Sequence, residues 1–329
     1  MTQPVLGRLA PSPTGALHLG NARSFLLAWL SVRQQSGRLI LRIEDIDSPR
    51  VKPWATQATL DDLRWLGIDW DVGPDTQANQ SAAATGLELI QSLRLARYQH
   101  VLSELIAQGV VYPCSCSRSE INAAASAPHE SSLQAIEGPI YPGTCRVQPV
   151  DPQTLDQTDS YAWRWRFQEG QVEWYDCLLG RMSAFPDQQL GDFVIARGDG
   201  KPAYQLAVVV DDFDMGVTEI VRGDDLLPST YRQLAILKHM HWPIPNYYHV
   251  PLIVGPDGRR LAKRHGDTRL SYYREQGVSP ERLVGYLAWT LHLQPRPEPL
   301  HARQLIGRLD WHKLPDQPTV FHDRDLENI

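Results

Sequence analysis

A phosphate site can be read in Arg8-Leu-Ala-Pro-Ser-Pro-Thr-Gly-Ala-Leu-His-Leu-Gly-Asn21. The short apolar segment turns on Pro11, Pro13 and Gly15, then presents His18 and Gly20 directly before a helical pattern. Free backbone N–H groups and the positive end of the helix dipole converge there, as an anion requires. Gly20 lets a nucleotide approach the backbone, and His18 can donate to a phosphate as its charge develops. Taken alone, the stretch is equally a Pro/Gly turn with an incidental histidine.

Other residues suit complementary tasks. Glu44 closes the apolar segment that starts at Arg38, where a carboxylate can receive an ammonium group. Arg222 follows the β-branched run Val217-Thr-Glu-Ile-Val, and its planar fork can take both oxygens of a carboxylate. Lys263 sits in the densest basic run, Gly258-Arg-Arg-Leu-Ala-Lys-Arg-His-Gly-Asp267, flanked by two glycines as hinges. From there it can neutralise a departing pyrophosphate, or the run is a solvated loop touching RNA phosphates. Cys114, Cys116 and Cys145 offer three thiolates from two turns, one ligand short of a zinc tetrahedron. Tyr141, His129 or a water completes it, and generic zinc chemistry favours His129. Three buried structural cysteines are the alternative.

The elements that must position these groups alternate. A helical pattern from Asn21 to Gln35 carries Phe25, Leu26, Trp29, Leu30 and Val32 inward. A strand from Arg38 and a helix through Leu60, Leu63 and Leu66 follow. This order reads as α/β, a doubly wound, Rossmann-like parallel sheet with ligands beyond the carboxyl ends of its strands. A third helix is expected from about Ser92 to Gln108, and a strand over Ala162-Trp-Arg-Trp-Arg-Phe167. The apolar run Ala203–Asp212 is either a central buried strand or a helix packed beside one. A last helix opens at Ser279 and runs to about His292.

Composition narrows the class. With 42% hydrophobic and 21% charged residues in 329, the chain can bury a proper core. A net charge of −6 excludes a broadly basic coat, so any RNA contact needs a local basic face. No apolar run approaches the roughly 18 residues of a membrane span, so no membrane partner is expected. The N-terminus lacks a signal peptide, and four cysteines do not make a disulfide scaffold; a cytoplasmic location and a monomer are expected.

Pro11-Ser-Pro-Thr-Gly with His18-Leu-Gly-Asn21 resembles the first signature of class I aminoacyl-tRNA synthetases of the glutamyl/glutaminyl branch. Asn21 stands where the signature has a final histidine. The basic run resembles the second signature, Lys-Met-Ser-Lys-Ser, with Lys263 on its second lysine, Arg260 at its first and Ala262 in place of its serine. Cys-x-Cys followed by Tyr-x-x-x-Cys is similar to the zinc module of bacterial glutamyl-tRNA synthetases. The resemblance covers residues 5 to 292. It implies one structural zinc on Cys114, Cys116, Tyr141 and Cys145. It also implies a glutamate pocket of Arg8, Ser12, Glu44, Tyr204 and Arg222, and ATP contacts from Pro11, His18, Gly20, Asn21 and Lys263, with Mg2+ accompanying ATP. Arg8 and Tyr204 would meet the side-chain carboxylate, Glu44 the ammonium and Arg222 the α-carboxylate, with His18 and Lys263 as the catalytic pair.

The implied organisation is a first catalytic half over 1–100, a zinc-bearing insertion over 101–174, a second half over 175–245, and a signature loop with a helical part over 246–329. About sixty residues follow Lys263, so a helical anticodon-binding domain is not expected. In that shortness, and in Tyr204-Gln-Leu-Ala-Val-Val-Val, the chain resembles the glutamyl-queuosine tRNA(Asp) synthetases. The expected activity is activation of L-glutamate by ATP and its transfer to the queuosine base at the wobble position of tRNA(Asp). A truncated glutamyl-tRNA synthetase charging the 3′ end, or a non-catalytic RNA-binding paralogue, are the alternatives.

Overall fold

The computed structural model describes residues 4–46, 50–76, 87–124, 139–147, 161–261 and 266–322. Strand β1 (Leu6–Leu9) leads through Pro11–Leu17 into helix α1 (Leu19–Gln34) and back to β2 (Arg38–Leu41). Helices α2 (Ala55–Trp65) and α3 (Leu95–Ala107) follow. Three strands, β3 (Val111–Cys114), β4 (Ala162–Trp165) and β7 (Phe193–Arg197), form an antiparallel sheet in the order β3-β4-β7. The hairpin of β5 (Val172–Asp176) and β6 (Gly180–Ala184) lies between β4 and β7 in the chain. The run that could have been strand or helix is helix α4 (Tyr204–Asp214). Then come β8 (Glu219–Gly223), α5 (Leu227–His239), β9 (Asn246–Val250) and β10 (Ile253–Val254). Helices α6 (Leu270–Glu275) and α7 (Pro280–Thr290) precede β11 (Thr319–Val320), which pairs with β10.

The central sheet is parallel throughout, in the order β2-β1-β8-β9. Two apolar clusters cover it. One packs α1, α2, α6 and α7, with Leu26, Leu27, Trp29 and Leu30 buried at its centre. The other packs α3, α4 and α5, with Tyr98, Leu206, Val208 and Tyr231 buried. Helices on both faces make this a doubly wound α/β sheet, and burial on both sides explains the apolar run Leu39–Leu41 of β2. Truncating a fully buried core leucine such as Leu30 to alanine costs about 2–5 kcal/mol.

Close packing fixes the carboxyl end of α1. A Cβ on Gly7 would lie 2.5 Å from Val32 Cγ2, so glycine lets the end of α1 sit directly on β1. The strand expected from Arg38 is shorter than its apolar run. Beyond Leu41 the chain continues through a single bridge at Ile43, which leaves Glu44 past the carboxyl end of β2. Among the described residues, no helix is long and apolar enough to cross a membrane.

Candidate active site and a cysteine cluster

The chain beyond the carboxyl ends of β1, β2 and β8 opens into a cavity of about 430 Å³. Arg8, Pro11, Ser12, His18, Gly20, Asn21, Glu44, Tyr204 and Arg222, far apart in sequence, all line it. Lys263 and His129 lie outside the described residues.

At one end, His18 caps α1. Its Nδ1 accepts the Asn21 backbone N–H, and the Asn21 side chain accepts the His18 N–H, both at 3.4 Å. This reciprocal cap puts asparagine to use at the position where the signature has histidine. With Nδ1 accepting, the ring proton resides on Nε2. Burial, helped by Arg260, pulls the imidazole down to about 4, so it is a neutral donor near pH 7. A Cβ on Gly20 would come 3.1 Å from His18 Cε1, so glycine there spares the ring.

The other end is densely charged. Arg8, Glu44 and Arg222 are each 5–7% exposed. Arg42, fully buried, donates to Glu44 at 2.9 Å and to Asp212 at 2.7 Å. Arg8 Nε approaches the same Asp212 at 3.7 Å. Burial pushes the Glu44 carboxyl up, with Arg42 opposing. Burial also lowers Arg8, which Asp212 resists and the nearby Arg42 and Arg222 reinforce. Arg222 Nη1 and Arg8 Nε are buried without a hydrogen-bond partner among the described residues. Unpaired guanidinium N–H groups beside a buried carboxylate suit a ligand that brings its own carboxylates and an ammonium group. Arg222 is thus buried, contrary to the ordinary expectation for an isolated arginine.

Sequence reasoning passed over the supports of this end. Arg42 lies in the apolar run Leu39–Ile43, and Asp211 and Asp212 close the apolar face of α4. A charge inside a run that otherwise reads as core was the available signal. Asp211 receives Arg94, Gln91 and Tyr98, all at 2.7–2.8 Å, which anchors α3 to α4 behind the cavity.

The ends of the basic run flank His18. Before it, Arg260 bridges to Val254 and pairs with Asp225 at 2.7 Å. After it, Thr268 O accepts from Leu19 N and Leu17 O accepts from Leu270 N, at 3.0 and 2.9 Å.

A separate cluster brings together Cys114, Cys116 and Cys145, whose sulfurs lie within 4.8 Å of one another. Tyr141 Oη is 3.4 Å from Cys114 Sγ and 3.8 Å from Cys116 Sγ, and accepts from the Cys145 N–H at 2.8 Å. The Arg164 guanidinium lies 3.9 Å from the Tyr141 ring centroid and holds the ring from its face. Zinc bonded to sulfur at about 2.3 Å in a tetrahedron needs ligand atoms about 3.5–3.8 Å apart, so the donor set fits a metal of that size. Cys145 is held down at about 7; burial acts against this, but hydrogen bonds from Tyr141 and the Ser115 backbone outweigh it.

The chain is similar to known proteins along nearly its whole length. Residues 4–328 match the family of class I tRNA synthetases (E and Q), catalytic domain. A Rhodopirellula baltica protein, glutamyl-Q tRNA(Asp) synthetase, is 48% identical over 96% of this chain and 96% of its own length. Glutamate–tRNA ligase 1 of Acidithiobacillus ferrooxidans is 42% identical over 85% of this chain, but over only 55% of its own length. The structure superimposes on a glutamate tRNA ligase from Elizabethkingia meningosepticum with a TM-score of 0.79 at 24% identity, covering 99% of this chain and 68% of that one. The doubly wound parallel sheet, the cavity beyond its strands and the match along nearly the whole sequence lead to one conclusion: the chain belongs to the class I tRNA synthetases of the glutamate and glutamine branch.

Proposed function

We propose that the cavity joins L-glutamate to ATP and that the glutamyl group then passes to queuosine at the wobble position of tRNA(Asp). The observation that carries the first step is that Arg8 and Arg222, both buried with an N–H group lacking a hydrogen-bond partner among the described residues, line one cavity with Glu44. Glutamate supplies two carboxylates and one ammonium, which match two cations and one anion. In this reading Arg8 and Tyr204 take the side-chain carboxylate, Arg222 the α-carboxylate and Glu44 the ammonium, with Ser12 at the rim. Tyr204 is 38% exposed, but the lining of the cavity desolvates its hydroxyl and pushes the phenol up, so it is a donor.

An α-carboxylate oxygen attacks the α-phosphorus of ATP, and pyrophosphate leaves. His18 Nε2–H, with Lys263, stabilises the charge that develops on the phosphates. Pro11, Gly20 and Asn21 shape the nucleotide end, and Mg2+ accompanies ATP. A hydroxyl of the queuosine cyclopentenediol then attacks the activated carbonyl, and AMP leaves. Cys114, Cys116, Cys145 and Tyr141 would hold one structural zinc, which ties the turn after β3 to the Tyr141–Cys145 turn.

The choice of acceptor rests on the relative from Rhodopirellula baltica, matched along almost its full length. The 42% identity to a glutamate–tRNA ligase favours a second reading, charging of the tRNA 3′ end. Purified tRNA(Asp) separates them. Glutamylation should vanish when guanosine replaces queuosine and survive removal of the 3′-terminal adenosine. Charging of queuosine-free tRNA, lost on trimming that adenosine, would establish the second reading instead.

A further inference from the structure

Arg222 is held from behind by groups that do not line the cavity. Its Nε donates to His249 Nε2 at 3.0 Å, and its Nη2 donates to Thr230 Oγ1 at 2.7 Å. Thr230 and His249 are wholly buried. His249 Nδ1 meets Asp176 Oδ2 at 2.7 Å. Asp176, also wholly buried, further accepts the backbone N–H groups of Leu178 and Leu179 at 2.9 and 2.8 Å and that of His249 at 3.2 Å.

This chain of contacts allows one arrangement of protons. A guanidinium has no lone pair to offer, so His249 Nε2 must be the acceptor and Nδ1 must carry the hydrogen. Asp176, surrounded by donors, accepts it. The imidazole nitrogen has one lone pair, taken by Arg222, which leaves the Thr230 hydroxyl to donate to the Leu226 carbonyl at 3.3 Å. Burial, with Arg222 adding to it against the Asp176 hydrogen bond, pulls His249 down to about 4, so the ring stays neutral. With Nε and Nη2 fixed, the Arg222 side chain loses its freedom to swing, and Nη1 remains buried without a partner among the described residues.

We propose that Asp176 and His249 are positioning residues that lock the Arg222 guanidinium with its Nη1 side presented to the substrate carboxylate. Asp176 lies at the turn of the β5–β6 hairpin, so this excursion from the sheet reaches the amino-acid end of the cavity through a single imidazole. The inference rests on the reading that Arg222 takes the α-carboxylate of glutamate.

Glutamate-dependent pyrophosphate–ATP exchange by the full chain tests it. H249L removes the acceptor and should raise KM for glutamate about tenfold or more while KM for ATP stays within about twofold. H249Q, whose amide oxygen can accept from Arg222 Nε, should recover most of that loss. A glutamate KM unchanged in H249L, or equal rises in both KM values, would overturn the proposal. A wild-type protein without glutamate-dependent exchange would instead overturn the assigned substrate. Should H249L not fold, ¹⁵N NMR of the unaltered protein decides: His249 must show a protonated Nδ1 and a bare Nε2 at neutral pH. The opposite tautomer, or an imidazolium, refutes the relay.

Discussion

Arg42 and Glu44, two residues apart past the end of β2, form a buried ion pair at 2.9 Å, and Arg42 reaches Asp212 at 2.7 Å from the same guanidinium. Arg42 has no solvent exposure. Its charge therefore opposes the burial that pushes the Glu44 carboxyl up, and it bridges Glu44 to Asp212. The pair explains how Glu44 can face a substrate ammonium from inside a low-dielectric cavity.

Removing this cation should cost more than removing any single cavity-lining group. R42M leaves Glu44 without this partner and Asp212 with only the longer contact to Arg8, and is expected to destabilise the chain by about 3–5 kcal/mol, as breaking a buried ion pair does. Urea unfolding measures it. A loss below about 1 kcal/mol, the scale of surface pairs, would mean that the carboxylates find other partners.

The cysteine cluster predicts one zinc per chain. Elemental analysis of purified protein should find it, and C116S should lose most of it, because Cys116 is within 3.8 Å of both Cys145 Sγ and Tyr141 Oη. Tyr141→Phe should also weaken retention. Full zinc in that variant would return the fourth position to another donor such as His129.

Much of this was legible in the residues. The signature turn, the helix after it and the alternation of strand and helix follow from local pattern, because Pro11, Gly15 and the apolar periodicity of α1 act over a few residues. The supports were not. Arg42, Asp212, Asp176 and His249 matter through partners 2 to 170 residues away, and pairing at such distance leaves no periodic trace. The run Ala203–Asp212 shows a second limit. A mainly apolar segment fits a buried strand or a buried helix equally well, and only its place against α3 and α5 decides for helix.

His18 gives a pH-dependent prediction. Its folded value of about 4 lies below its ordinary 6.5, so between these values the unfolded chain binds the extra proton. Its contribution to stability therefore rises with pH across that window and is level above it. Asp62 and Asp224, both raised to about 6 by burial, titrate there with the opposite sign, so the informative quantity is the difference between wild type and H18N. Urea midpoints from pH 4 to pH 8 should show wild type gaining on H18N up to about pH 6.5 and no further. A constant difference would mean that His18 is not held neutral.

Lys263 supplies the last prediction. Its neighbours on both sides are fixed beside His18: Arg260 by Val254 and Asp225, Thr268 by Leu19. Lys263 itself lies outside the described residues, and we propose that its charge acts on the departing pyrophosphate. K263A should lower glutamate-dependent pyrophosphate exchange by about 10²–10³-fold, the scale of one donor to a developing charge. The glutamate KM should hardly move, since Arg8 and Arg222, the arginines proposed to meet glutamate, stand at the other end. If K263A raises the glutamate KM and leaves kcat intact, the lysine binds and does not catalyse. An unchanged rate would remove the basic run from the chemistry and leave His18 as the phosphate donor there.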